Sequence, residues 1–309
     1  MKTLKDILAE LLEHYRILGM SSLTVRRLRQ CLSPFLRWLE MRHGVTEAAN
    51  LRSDHVRDFQ RHLAGHVTAK GLPYKPATIN SQVKSLKTFL DFMHDRSYII
   101  RRMSRDISYV REPRFLPGGI LSHAEVKKLA RNVETSSPEG IRDRAIIELL
   151  YSSGIRIGEL ETLTLDDVDL DHAAMKVLGK GSKERMVPVG KTALRWLTSY
   201  IRGARPFMSG HGNGNRNVFL NRNGDPIGQT TVRHMIHGYE KKAKIKTNVT
   251  PHTFRRSCTT EMIKADAGIY HVKELLGHES LETLRHYAKL NISDLQKVHA
   301  KCHPREKDD

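Results

Sequence analysis

A basic segment that is rich in proline and glycine, residues 100–120, divides the chain into two parts with different sequence patterns. Its arginines are Arg101, Arg102, Arg105, Arg111 and Arg114, and they alternate with Pro113, Pro117, Gly118 and Gly119. Proline and glycine disfavour a continuous helix, so this composition predicts an extended linker. The 309 residues are enough for one to three domains. We therefore expect one domain over residues 1–105, a linker over 106–120 and a second domain over 121–309.

The first part has the apolar periodicity of an all-helical domain. The pattern predicts helices over residues 3–18, 24–41 and roughly 54–64, and a fourth helix that Pro76 opens. The outer faces of two of these helices carry basic and polar residues, namely Arg26, Arg27, Arg29, Asn80, Lys84 and Lys87. We expect these residues to bind DNA, although a solvated helix face explains such residues equally well in isolation.

The second part mixes helices with a few short strands. Ser122 is a helix-start residue, a helix is predicted over 142–152, and Gly154 ends it. The period then shifts towards two, which predicts strands over 174–178 and 184–189 around a glycine-rich hairpin turn. Another short strand is predicted over 218–220, and the helical pattern returns from Gln229 through Gln296. The predicted fold is therefore mainly α, with a small antiparallel β-sheet.

The charge of the chain points to a polyanionic partner. Lysine and arginine total 52 against 34 acidic residues, which gives a net charge of +18. The excess is spread over both parts of the chain, as expected for a protein that grips a polyanion from two sides. Without further evidence, an ordinary basic soluble protein is an equally good interpretation.

Other compositional features exclude several classes of protein. No apolar stretch approaches the ~20 residues of a membrane span, and the N-terminus lacks a secretory signal pattern. The three cysteines, Cys31, Cys258 and Cys302, form no CxxC pair. This usage favours a reducing compartment, which we expect to be the cytoplasm, and argues against a zinc module.

Four segments in the second part carry residues suited to phosphate chemistry. They read GIRIGEL from Gly154, GKGSKERMVP from Gly179, PHTFRRS from Pro251, and LLGHESLETLRHY, which ends at Tyr287. Converging arginines and histidines can hold a phosphate, and a tyrosine can attack it. Each segment alone is weak evidence, because lone arginines, lysines, histidines and tyrosines are more often structural or solvated.

Taken together and in this order, the four segments resemble the tyrosine recombinases, the phage-integrase and Xer-type family. The resemblance extends to the helical first part, the basic linker and the closing segment. It implies a helical core-binding domain and a mixed α/β catalytic domain. The C-terminal tail over about 291–309 is expected to dock on a neighbouring protomer, with packing in cis against its own chain as the alternative. The catalytic residues it implies are Arg156, Lys180, His252, Arg255, His278 and Tyr287.

The resemblance also implies a role for each of these residues. Tyr287 would attack a DNA phosphodiester and form a 3′-phosphotyrosine, while Arg156 and Arg255 hold the phosphate. Lys180 would protonate the leaving 5′-oxygen as general acid, with Lys183 as a possible substitute. His252 would handle the proton near the nucleophile, and His278 would hydrogen-bond the phosphate. Glu159 would support the site, and no metal or other cofactor is expected.

The activity implied is site-specific recombination through a Holliday junction, without ATP. The expected partner is double-stranded DNA with an inverted-repeat core site, bound by a homotetramer, with or without a related recombinase. Further DNA contacts are expected from Arg101, Arg102, Lys183 and Arg185. Two alternatives remain at this stage: a type IB topoisomerase, which uses the same residues, and an accessory DNA-binding factor that has lost catalysis.

Overall fold

The computed structural model describes residues 2–113, 119–179, 183–209, 214–265 and 267–277. The chain forms two compact units, Met1–Arg114 and Phe115–Asp309. No helix among the described residues is long and apolar enough to cross a membrane. Lys180, His278, Tyr287 and the predicted tail lie outside the described residues, as does the middle of the predicted linker.

The first unit is a helical bundle around one apolar core. Its helices are α1 (Leu4–Ile17), α2 (Ser22–His43), α3 (Ser53–Gly65) and α4 (Pro76–Asp95). Side-chain caps stabilise the starts of α1 and α2: the hydroxyls of Thr3 and Ser21 accept from the backbone N–H of the third residue beyond each. Large side chains such as Phe35 and Phe89 are fully buried at the centre of the bundle.

Residues 107–112 pack against α4, although the sequence predicts them as part of the linker. Ile107 is buried in the core of the first unit. The Asn80 side chain accepts a hydrogen bond from the Val110 N–H at 2.8 Å and donates one to the Val110 carbonyl at 2.9 Å. The same amide donates to the Glu112 carboxylate at 2.7 Å. The first unit therefore extends beyond residue 105, because the burial of Ile107 and the hydrogen bonds of Asn80 hold this segment against it.

The second unit combines helices with one small sheet. Its helices are α5 (His123–Arg131), α6 (Pro138–Ser153), α7 (Ile157–Thr162), α8 (Lys191–Thr198), α9 (Arg205–Met208), α10 (Gln229–Lys242), α11 (Pro251–Lys264) and α12 (Ile269–Leu276). A π-helical turn, Ser199–Ala204, joins α8 to α9. The strands β1 (Val168–Asp169), β2 (Ala174–Leu178) and β3 (Glu184–Pro188) form an antiparallel sheet in the order β1-β2-β3.

The predicted hairpin is confirmed, and one predicted strand is wrong. β2 and β3 pair with Val177 opposite Arg185 and Met175 opposite Val187. Residues 218–220 form no strand among the described residues; Val218 and Phe219 lie between two isolated bridges, Thr164 with Asn217 and Leu220 with Pro226. These three residues are buried, so their apolar run reports burial in the core and not membership of a sheet.

Helix α6 forms the centre of the second unit and leads into the candidate site. It begins four residues before the predicted start at Arg142, because the Ser137 hydroxyl caps it and Pro138 occupies its first turn. Apolar residues on several of its faces are buried, which explains why its sequence shows little amphipathic contrast. Gly154 ends the helix with φ of +62°, as the sequence predicts.

Candidate active site

Arg156 is the N-cap residue of α7 and lies three residues after the end of α6 at Ser153. Its backbone N–H donates to Glu159 Oε2 at 2.8 Å, and its Nη1 donates to Glu159 Oε1 at 2.8 Å. Its Nη2 donates to the Gly277 carbonyl at 2.7 Å. The side chain is 33% exposed. Arg156 is thus anchored from within the protein while part of its guanidinium remains accessible.

Glu159 is a buried carboxylate, and arginines surround it. Its side chain is only 3% exposed. Besides the hydrogen bonds from Arg156, it accepts two from Arg185, at 2.8 Å and 2.9 Å. Burial alone would raise the pKa of Glu159, but the hydrogen bonds from Arg185 and Arg156 outweigh it and hold this pKa below its ordinary value. Glu159 is therefore ionised and supplies the negative charge that keeps these guanidiniums together.

Arg255 lies on α11 and points into the second unit. It is 6% exposed. Its Nη1 donates to the Gly154 carbonyl at 2.8 Å and its Nη2 donates to the Leu276 carbonyl at 2.6 Å. Burial, and then the positive charge of Arg156, lowers the pKa of Arg255 to about 10. It is still a cation at neutral pH.

His252 lies one helical turn before Arg255, in the first turn of α11. This spacing of three residues places both on the same side of the helix, as the sequence predicts. Partial desolvation, followed by the positive charges of Arg255 and Arg156, lowers the pKa of His252 below its ordinary value. The imidazole is therefore mostly neutral at neutral pH and can accept a proton.

The end of α12 gathers three arginines. The successive carbonyls of Leu275, Leu276 and Gly277 accept from Arg185, Arg255 and Arg156, respectively, at 2.9, 2.6 and 2.7 Å. These are the carbonyls of a helix C-terminus, which carry partial negative charge and favour cations. Three guanidiniums from β3, α11 and the N-cap of α7 thus meet at the C-terminal end of α12.

Two glycines make this meeting possible. A Cβ at Gly154 would lie 2.7 Å from Leu276 Cδ2, and a Cβ at Gly277 would lie 2.9 Å from Arg185 Nη1. Both residues also have positive φ, +62° and +61°, which other residues rarely adopt. Both therefore bring the end of α12 against the arginines, a role that the sequence analysis did not assign to them.

The predicted hairpin lysines flank a turn of which the structure describes only the ends. Lys183 is exposed, and its carbonyl accepts from the Gly179 N–H at 2.8 Å, which closes the hairpin. Lys180 lies outside the described residues. The expectation that Arg185 binds DNA needs correction, because its side chain is 12% exposed and its guanidinium is bonded to Glu159 and to Leu275.

A signal for the position of Arg185 was present in the sequence. Residues two apart in a strand share one face of the sheet, so Arg185 shares a face with Val187. Val187 is fully buried, and Val177, directly opposite Arg185 on β2, is 2% exposed. The alternation therefore placed Arg185 on the inner face of the hairpin.

The DNA-binding candidates of the first unit fall into two groups. Arg26, Arg29 and Lys84 are exposed, and Arg27 is exposed while donating to Ser81 Oγ of α4 at 3.0 Å. The remainder have contacts within the first unit. The Asn80 amide donates to the Val110 carbonyl, and Lys87 donates to the Ser104 carbonyl at 2.7 Å. Arg101 and Arg102 pair with Asp106 and Asp91, respectively. For Asn80 the structural contacts replace the expected DNA contact, because its amide is occupied on both sides.

Comparison with known proteins identifies the family. The family model described as the phage integrase family matches residues 120–293. The chain belongs to this family. A tyrosine recombinase XerD from Listeria monocytogenes is 30% identical over 309 residues, which is 98% of this chain and 100% of that protein. A tyrosine recombinase XerC 2 from Ralstonia nicotianae is 32% identical over 289 residues, 93% of this chain and 82% of that protein.

Two solved structures share the fold. The XerH site-specific recombinase bound to palindromic difH substrate matches with a TM-score of 0.73 at 20% identity, over 95% of this chain and 83% of that one. A lambda integrase dimer bound to a COC′ core site matches with a TM-score of 0.70 at 15% identity, over 93% and 95% of the two chains. This member of the family is a tyrosine recombinase, an enzyme of site-specific DNA recombination. The topoisomerase and accessory-factor alternatives are thereby set aside.

Proposed function

We propose that this recombinase cuts and rejoins DNA through a covalent bond to Tyr287. The phenol oxygen of Tyr287 attacks a DNA phosphorus, and the bond between phosphorus and the 5′-oxygen breaks. The tyrosine loses its proton and the 5′-oxygen gains one, so the products are a 3′-phosphotyrosine and a 5′-hydroxyl. Because the phosphodiester energy is kept in the new ester, rejoining needs no ATP, and the arginines and histidines of this set make a metal ion unnecessary.

The observation that carries this proposal is the convergence of Arg156 and Arg255 at the end of α12. A guanidinium has five N–H donors, and the bonds of each arginine to described residues use two of them. The remaining donors of Arg156 and Arg255 suit the non-bridging oxygens of a phosphate, on which negative charge develops during attack. Both side chains are held in place before DNA binds, so little reorganisation is required.

The other proposed roles follow from the chemistry of each side chain. His252, whose lowered pKa keeps it neutral, accepts the proton of Tyr287 during cleavage. Lys180 donates a proton to the leaving 5′-oxygen, with Lys183 as its substitute on the same hairpin. His278, which directly follows the gathered carbonyls, hydrogen-bonds the phosphate. Glu159 keeps the arginines in position.

We also propose the assembly in which this chemistry occurs. Four protomers hold two duplexes at inverted-repeat core sites and exchange strands through a Holliday junction, in a bacterial or archaeal nucleoid. The first unit forms a core-binding domain in which Arg26, Arg27, Arg29 and Lys84 contact the phosphate backbone. The tail over residues 291–309 docks on a neighbouring protomer and so links assembly to placement of the nucleophile.

The experiment that tests the proposal replaces Tyr287 by phenylalanine. The Tyr287→Phe variant loses the nucleophilic oxygen and keeps the ring, so it should bind DNA normally and form no covalent complex on a nicked suicide substrate. In the wild type, the adduct should map to Tyr287 and to a 3′-phosphate. An adduct at wild-type level in the variant, or a 5′-linkage, would refute the mechanism.

A further inference from the structure

The guanidinium of Arg185 makes more hydrogen bonds to the Glu159 carboxylate than the guanidinium of Arg156 does. Arg185 binds both carboxylate oxygens with a forked pair of hydrogen bonds, Nη1 to Oε1 at 2.8 Å and Nη2 to Oε2 at 2.9 Å. Arg156 reaches the carboxylate with one side-chain donor, Nη1 to Oε1. The fourth hydrogen bond to Glu159 comes from the backbone N–H of Arg156. A carboxylate has about four acceptor sites, so these four bonds satisfy it.

The second anchor of Arg185 fixes its orientation. Its Nε donates to the Leu275 carbonyl at 2.9 Å, so all three guanidinium nitrogens bind protein acceptors. Gly277 passes so close that a Cβ there would lie 2.9 Å from Nη1 and 3.1 Å from Cζ of Arg185. Cross-strand pairing of Arg185 with Val177 holds the backbone beneath it. The Glu159 carboxylate, α12 and the hairpin thus all hold the guanidinium of Arg185 in one orientation.

The forked contact has a consequence for Arg156. An arginine beside an unsatisfied buried carboxylate forms the bidentate pair, because this geometry adds a second charge-assisted hydrogen bond. Arg185 already fills that position on Glu159. Arg156 therefore contacts Glu159 through Nη1 and directs Nη2 to the Gly277 carbonyl, at the end of α12 where Arg255 also binds.

We infer that Arg185 is a positioning residue for DNA cleavage, which acts by saturating Glu159 so that Arg156 remains directed at the scissile phosphate. This inference rests on the proposed function, in which Arg156 holds that phosphate. Loss of Arg185 leaves Glu159 with unfilled acceptors in a buried site, and Arg156 turns towards the carboxylate. Misplacement of a reacting or binding group by about 1 Å can cost ~10²-fold in rate, and we expect a loss of this order.

The test compares single and double variants in the full-length protein. Arg185→Gln should slow single-turnover cleavage of a nicked suicide substrate by ~10²-fold, while half-site binding changes little. Because the variant leaves the buried Glu159 carboxylate partly unpaired, thermal unfolding should shift to lower temperature, and cleavage of every variant is measured well below its unfolding transition. Adding Glu159→Gln to Arg185→Gln removes the charge that attracts Arg156 and should restore about 10-fold of the rate, a non-additive effect typical of groups in direct contact. Arg185→Lys keeps the charge without the fork and should give an intermediate rate.

A matched control is Arg216→Gln, which removes an exposed arginine of the same unit that pairs with Asp166. It should cleave at the wild-type rate. A merely structural role for Arg185 predicts that the double variant is no faster than Arg185→Gln, and that result would overturn the inference. Rescue of Arg185→Gln by a 5′-bridging phosphorothiolate would also overturn it, because the defect would then lie in the general acid.

The outcomes separate this inference from the function on which it rests. If wild-type protein forms the Tyr287 adduct and Arg185→Gln forms it equally fast, only the role of Arg185 is wrong. If the wild-type protein forms no adduct at Tyr287, the proposed mechanism itself fails, whatever the behaviour of the Arg185 variants.

Discussion

The first unit keeps its charged side chains outside its core, whereas the second unit brings them in. Among the described residues, the first unit buries one polar or charged side chain, Ser104, and the second buries ten. Six of those ten are ionisable, and each bonds to an ionisable partner or to backbone carbonyls: Arg142, Asp143, Glu159, Arg205, Glu240 and Arg255. A buried charge is costly unless it is fully paired, so each of these positions is strictly specified.

The exposed cations of the first unit and the buried arginines of the second unit suit different roles in DNA binding and cleavage. Exposed cations such as Arg29 and Lys84 can follow a phosphate backbone at little structural cost, and their attraction is screened by salt. Held cations such as Arg156 and Arg255 are oriented in advance, as stabilisation of a developing charge requires. The comparison predicts that the first unit sets affinity and that the second sets the rate of chemistry.

The largest effect is expected at the hairpin of the second unit. Lys180→Ala should slow cleavage by about 10³-fold, because the 5′-oxygen then leaves without a proton. A 5′-bridging phosphorothiolate should restore cleavage, since a thiolate leaves unprotonated. Lys183→Ala is the matched control from the same turn and should retain most of its rate. Phosphorothiolate rescue confined to Lys183→Ala would assign the general acid to Lys183 instead.

A second effect, of about 10²-fold, is expected at His252. The pKa of this imidazole is lowered by desolvation and by its arginine neighbours, so the neutral base is available at neutral pH. Cleavage should fall as pH drops through this lowered pKa, because protonation removes the acceptor. His252→Asn should be slow and should lose that dependence on pH.

The arginine neighbours of His252 supply the control for this pH profile. Arg233 is one of the positive charges that lower its pKa. Arg233→Gln should therefore raise the pKa of His252 and shift the acidic fall in the cleavage rate to higher pH. A shift to lower pH, or an unchanged profile in His252→Asn, would show that another group controls it.

The smallest effects are expected in the first unit, where two residues of α4 form a matched pair. Lys84 is exposed, and Lys84→Gln should reduce the slope of log affinity against log salt by about 0.9 without slowing cleavage at saturating DNA. Asn80→Ala should leave that slope unchanged and should destabilise the unit by ~1 kcal/mol for each hydrogen bond lost. Anisotropy titrations and thermal unfolding measure both, and the reverse pattern would assign the DNA contact to Asn80.

Local patterns in the sequence predicted most of the fold. Helix caps such as Ser122 and Gly154 act within one turn, so their residues alone identify them. The β2–β3 hairpin follows from alternation around its glycines. The buried run over residues 218–220 was misassigned to a strand, because an apolar triplet reports burial without indicating which partner covers it.

The candidate site was predicted residue by residue, but its internal contacts were not. The sequence segments indicated Arg156, His252 and Arg255 as candidates, and the structure brings Arg156 and Arg255 to the end of α12, while their catalytic roles stay predictions. The partners of Arg185 and Asn80 could not be selected, because a long or amide side chain can reach acceptors that are distant in the sequence. Arg185 reaches Leu275, and Asn80 reaches Val110. Only the tertiary structure distinguishes such residues from solvated ones.

The division of work between the units is tested most directly by measuring binding and cleavage together on one nicked substrate. Arg156→Gln in the second unit should lower the single-turnover cleavage rate at saturating DNA by at least 10²-fold and leave Kd nearly unchanged. The double variant Arg29→Gln/Lys84→Gln in the first unit should raise Kd severalfold and cleave at the wild-type rate once saturated. A slower saturated rate in the first-unit variant, or a loss confined to Kd in Arg156→Gln, would contradict the account.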